Sequence, residues 1–120
     1  MVQLLMMRLT GFWLALQFYA AMEPRYEIVV NIRVPEGYVE ASRFMLTGNY
    51  ETATDIFFEL QGDEQPASST AIRFDLVEIR DTLSVVLQTR FAVLSEAGDN
   101  CKIILREMFR LLTLKPVRLL

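Results

Sequence analysis

The chain has 120 residues, room for one domain that buries roughly 65% of its unfolded surface and needs no disulfide or structural metal. It contains no histidine and one cysteine, which excludes serine-histidine and cysteine-histidine nucleophile pairs, zinc-histidine sites and an internal disulfide. Fifteen acidic against twelve basic residues leave a net charge of -3, which lacks the positive field that drives sequence-independent binding to phosphate backbones.

Residues 1–21 form an apolar N-terminal extension whose only charge is Arg8, followed by Met22. As a signal peptide the extension is poor, because the charge comes late and the candidate cleavage sites carry Tyr19 or Met22 where small residues belong. As a membrane span it is marginal, since Gln3, Arg8, Thr10 and Gln17 interrupt a run that needs about 20 predominantly apolar residues. Met22 stands directly before Glu23-Pro24-Arg25-Tyr26 and offers an alternative translation start, which makes residues 1–21 an upstream extension. The competing readings are a helix that docks on the body or on a membrane, and a true anchor. The body is expected to be cytoplasmic, the alternative being that it is membrane-associated or exported through residues 1–21, with membrane contact only if those residues are genuine.

Tyr26 to Val34 is rich in β-branched residues, and its alternation places Tyr26, Ile28, Val30, Ile32 and Val34 on one face. Pro35-Glu36-Gly37 supplies a turn, and Tyr38 to Leu46 returns as the second strand of a hairpin. Pairing Arg33 with Glu40 puts Arg43 opposite Val30, so a bulge near Ser42 is needed for Phe44 and Leu46 to turn inward. Asn49 is a candidate N-cap for a helix carrying Tyr50, Ala53, Ile56, Phe57 and Leu60 on its inner stripe, with Gly62 as its stop. Asp63 to Thr70 has no apolar anchor and is expected to be solvated and mobile. A second hairpin follows, Ala71 to Arg80 and Leu83 to Val93 about an Asp81-Thr82 turn. Ser95 then caps a helix whose stripe is Ala97, Cys101, Ile104, Met108 and Leu111. Residues 115–120 are a C-terminal tail.

The two halves match in pattern at a period of roughly 45 residues, best where Phe44 is set against Phe91. The expected fold is therefore α+β over residues 22–114: two ββα units forming a four-stranded, mostly antiparallel sheet with two helices on one face.

Candidate chemistry is sparse. Cys101 lies on the inward stripe of the last helix, which makes it a buried, inert thiol with no histidine to activate it. Glu51 and Asp55 stand one helical turn apart, but exposed like-charge pairs at that spacing are ordinary, and neither a catalytic residue nor a metal site or cofactor is assigned. Arg33, Arg43, Arg73 and Arg90 come from four different strands and could form a shallow anion-binding surface, with Arg33, Arg73 and Arg90 on the face away from the helices. Cross-strand pairing with Glu27, Glu40, Asp75 and Glu78 is the favoured alternative. Only Tyr26 and Tyr38 are available to stack on bases, which disfavours a nucleic-acid platform.

The segments Glu23-Pro-Arg-Tyr-Glu-Ile-Val-Val-Asn-Ile-Arg-Val-Pro-Glu-Gly37 and Asn100-Cys-Lys-Ile-Ile-Leu-Arg-Glu-Met-Phe109 resemble small bacterial proteins of unknown function. The resemblance runs from Met22 to about Leu114 and implies no particular activity. The expected role is a non-enzymatic protein-interaction module that self-associates through its sheet as a homodimer. The motive is an apolar content of 52% in a two-layer fold, which would leave Val29, Ala41, Val77 or Val86 on an uncovered sheet face. The alternative is anion or nucleic-acid binding through the sheet arginines, and an enzyme using carboxylates ranks third.

Overall fold

The computed structural model of the protein describes residues 23–114. The expectations for residues 1–21 and 115–120 lie outside the described residues. Four strands, β1 (Arg25–Val34), β2 (Gly37–Leu46), β3 (Ile72–Arg80) and β4 (Leu83–Ala92), alternate with two helices, α1 (Tyr50–Phe58) and α2 (Leu94–Leu114). The sheet is antiparallel throughout in the order β2-β1-β3-β4, and the α+β fold of two ββα units is present.

Alternation decides what each strand buries. Tyr26, Ile28 and Val30 of β1 and Ile72, Phe74 and Leu76 of β3 face the helices and meet Ala53, Ile56 and Phe57 of α1 and Ala97 and Ile104 of α2. Phe57, Phe74, Ile28, Leu76 and Ile104 are completely buried, each contributing about 1.5–3 kcal/mol of transfer free energy. Helix α1 starts beside Tyr26, where the Tyr26 and Tyr50 rings lie 6.2 Å apart, and ends near β4, where Arg90 sits 5.9 Å from the Phe57 ring. The helical layer leaves two corners of this face open, with Ile32 and Val39 exposed at one and Leu83 and Val85 at the other.

Both hairpins carry a bulge at matched positions. In the first, Val30 pairs with Ser42 but Asn31 with Glu40, leaving Ala41 as the extra residue beside the expected site. In the second, Leu76 pairs with Gln88 but Val77 with Val86, leaving Leu87. Near the first turn the hairpin is two residues tighter than the expected register, with Arg33 opposite Tyr38 and Ile32 opposite Val39. The central strands pair so that Val29 lies opposite Asp75, its counterpart in the second half, about which the two hairpins are related by an approximate two-fold axis. Because β1 and β3 lie side by side in the middle, the outer strands among the described residues are β2 and β4, which corrects the expectation that the proline-free first and third strands, Tyr26 to Val34 and Ala71 to Arg80, offer the sheet edges.

The helix ends are capped differently. Asn49 accepts from the Thr52 backbone N–H at 2.9 Å, as its position before α1 predicts. Helix α2 begins one residue before Ser95, and the Glu96 carboxylate reaches back to accept from the Val93 N–H at 3.0 Å, so Ser95 lies within the first turn instead of capping it.

The Asp63 to Thr70 loop departs from expectation. Its residues are largely exposed, yet polar contacts hold it in place. Asp63 and Phe91 exchange two backbone hydrogen bonds of 2.8 Å, extending the outer edge of β4 by one bridge. Arg33 donates to the Ala67 and Ser68 carbonyls at 3.1 and 2.6 Å, and the buried Thr70 hydroxyl donates to Ala67 O at 2.8 Å. Gly62 makes the close approach feasible: a Cβ there would stand 2.6 Å from the Phe91 carbonyl oxygen, and its φ of 136° lies where side-chain-bearing residues are strained. Its role is this contact with β4, since α1 already ends at Phe58.

Beyond the β1–β3 pairing, Asn100 ties the two units together through a side chain. Fully buried on α2, its amide accepts from the Gln61 N–H at 2.7 Å and donates to the Gln61 carbonyl at 2.8 Å. Removing a partner that satisfies two part-buried backbone groups costs up to about 1–3 kcal/mol for each group stranded. Asn100→Ala is therefore expected to lower the unfolding free energy by about 3 kcal/mol in urea titrations, whereas Gln61→Ala, whose own side chain is exposed, should stay within about 0.5 kcal/mol of the parent.

Candidate functional site

The sheet face away from the helices is the surface on which the four strands converge. From β1 it presents Glu27, Val29, Asn31 and Arg33; from β2, Tyr38, Glu40, Arg43 and Met45; from β3, Arg73, Asp75, Val77 and Ile79; and from β4, Thr89 and Phe91. Arg33 and Arg73 lie on this face as their alternation predicts, and Arg43, opposite Val29, joins them there. Arg90 does not, since it pairs with the inward Phe74 and lies over Phe57 on the helix side.

The difference is a one-residue slip. Matching Phe44 to Phe91 turns Phe91 inward and Arg90 outward, but the registers make Arg90 the counterpart of Phe44. A slip of one residue along a strand exchanges the two faces. Phe91 thus stands on the open face, its ring 6.5 Å from that of Tyr38, an aromatic pair that pattern matching missed.

The three arginines on the face do not converge on a common point. Arg43 donates to Glu27 at 2.7 Å and to Glu40 at 2.8 Å, and these hydrogen bonds to Glu40 and Glu27 hold its guanidinium above its ordinary pKa. Arg73 donates to Asp75 at 3.1 Å, and its guanidinium carbon lies over the Tyr38 ring, 4.2 Å from the centroid. Arg33 is committed to the carbonyls of the 63–70 loop. Of the anticipated acidic partners, Glu78 serves Arg80 at 3.1 Å on the other face, and Tyr26 donates to the same carboxylate at 3.1 Å. Burial and that hydrogen bond raise the Tyr26 phenol pKa.

At the centre of the face lies a buried polar cluster. Asp75 accepts from Asn31 Nδ2 at 3.0 Å, Arg73 Nε at 3.1 Å and Thr89 Oγ1 at 2.7 Å. Asn31 and Asp75 are both buried, beside the stacked Tyr38 and Arg73. A carboxylate holding three donors is occupied, so its chemistry here is to bind three strands together. Val29 and Val77 lie on the same face yet are only 5% and 4% exposed, which leaves Val86, at 55%, as the exposed valine of the four residues expected there. The open face is thus mainly polar and internally paired, and its strongest charges are already matched.

Besides Val86 and Met45 on this face, further uncovered apolar surface lies at the end of the sheet and along α2. A groove of about 390 Å³ runs between the C-terminal half of α2 and the adjoining ends of β1 and β2, lined by Tyr26, Met45, Leu46, Met108 and Leu112, with Arg25, Glu27 and Thr47 completing the wall. On α2 it continues as an exposed stripe, Leu105, Phe109 and Leu112. Among the described residues no three His, Cys, Asp or Glu side chains gather as a metal-binding group, and no helix is long and apolar enough to cross a membrane. Comparison with protein-family models, curated proteins and solved structures gave no match.

Two measurements probe these assignments. Asp75→Ala strands Asn31, Arg73 and Thr89 together and is expected to destabilise the fold by about 2–4 kcal/mol, read as a lowered urea midpoint. Cys101 is half-buried against the core, and desolvation raises its thiol pKa, which lowers the thiolate fraction at neutral pH. Thiol reagents should label native protein slowly at pH 7, faster as pH rises, and rapidly at any of these pH values once the chain is denatured.

Proposed function

We propose that the protein is a small non-enzymatic interaction module that self-associates through its sheet as a homodimer. The observation carrying this reading is the edge of β2. Over ten residues it meets no other strand among the described residues and contains no proline, whereas the edge of β4 is bridged by Asp63 at Phe91. The bulge at Ala41 divides the edge, and the run Ser42 to Leu46 beyond it is long enough for antiparallel pairing with its counterpart in a second copy. Such pairing would join two four-stranded sheets into one of eight and satisfy backbone groups that otherwise face water.

The matched bulges and the two-fold relation of the hairpins support reading the two ββα units as an internal repeat. A cytoplasmic setting accords with the single unpaired cysteine. The anion-binding alternative has less support, because Arg33, Arg43 and Arg73 are each engaged within the molecule and Arg90 faces the helices.

Sedimentation of the full chain at micromolar concentration tests the reading. A dimer is expected, little affected by salt, since backbone pairing and apolar contacts are screened weakly. Ser42→Lys, a cation placed on the exposed pairing run, should weaken the dimer by about tenfold or more, equivalent to about 1.4 kcal/mol. A monomer in both low and high salt would reject self-association.

A further inference from the structure

We propose that the groove between α2 and the ends of β1 and β2 is the docking site for residues 1–22 of this same chain. The described body begins at Glu23, two residues before Arg25, and Arg25 is part of the groove wall. The preceding segment is therefore tethered at the rim of the groove. Twenty-two residues extend to about 70 Å, and a groove beside the attachment point is within reach of every part of the segment. A short tether supplies an effective concentration in the millimolar range.

The chemistry of the two surfaces agrees. Residues 1–22 carry one charged side chain, Arg8, among Leu4, Leu5, Leu9, Phe12, Trp13, Leu14, Leu16 and Phe18. The groove offers Met45 and Leu112, 67% and 53% exposed, with the equally uncovered Leu105 and Phe109 continuing along the same side of α2. Covering three or four such side chains would contribute several kcal/mol at about 25 cal/mol per Å². A second copy could offer apolar surface too, but would lose translational and rotational freedom that a tethered segment has already lost. This inference is independent of the β2 edge and holds whether or not the chain dimerises.

The chain contains its own reporter, because Trp13 is its single tryptophan. In the full chain, Trp13 emission is expected to be blue-shifted relative to the denatured protein and protected from acrylamide, equally at low and high protein concentration. The double variant Met45→Asp/Leu112→Asp places charge on exposed groove positions and should return Trp13 toward the denatured spectrum while the far-ultraviolet circular dichroism is kept. Phe109→Asp, farther along the stripe, should have the same effect and serves as the second variant if the double one fails to fold. Trp13 as accessible as in denaturant would overturn the proposal, as would shielding unchanged by these substitutions, shielding lost on dilution, or shielding that arises only when phospholipid vesicles are added. A monomeric chain with shielded Trp13 would reject the edge-paired dimer and leave the docking intact.

Discussion

The antiparallel contact between β1 and β3 is the constraint on which the rest of the architecture depends. Each hairpin alone is a two-stranded ribbon, a unit of marginal stability in water. Joining them along their first strands places both in the interior of one sheet, gives Tyr26, Ile28, Val30, Ile72, Phe74 and Leu76 a common face, and sends the return strands to the edges. The helices then cover that face, and Asn100 fastens the end of one unit to the body of the other through the Gln61 backbone. The same contact brings Asn31 beside Asp75, so the polar cluster on the opposite face exists only when the two hairpins have met.

Much of this was legible in the sequence because it is local. The alternation of β1, the Pro35-Glu36 turn, the Asn49 cap and the need for a bulge in the first hairpin all arise from neighbours in the chain, and each is present. Strand order was not legible, since both hairpins offer apolar faces and no local feature names the strand that will lie beside another. The position of Arg90 was missed for a related reason: similarity of residue type matched Phe44 with Phe91, while the hydrogen-bonded register matches Phe44 with Arg90. The anchoring of the 63–70 loop was hidden because its contacts are to backbone carbonyls, which leave no trace in residue type.

The arginines illustrate how composition can suggest a site that geometry distributes elsewhere. Four cations on four strands look convergent in sequence. In the fold one braces two carboxylates, one stacks on Tyr38 while holding Asp75, one secures a loop, and one turns toward Phe57. Among the described residues, uncovered apolar or backbone surface includes the groove with its α2 stripe and the edge of β2.

The pairing of Val29 with Asp75 has one more consequence. Two separate identical chains meeting about a two-fold axis must set the same residue against itself, and a pair of buried aspartates there would repel each other. A single continuous chain is released from that requirement. Its halves can keep matched bulges while one supplies an aliphatic side chain at the axis and the other a carboxylate, so that covalent linkage lets symmetry break at the single position where perfect symmetry would be most costly.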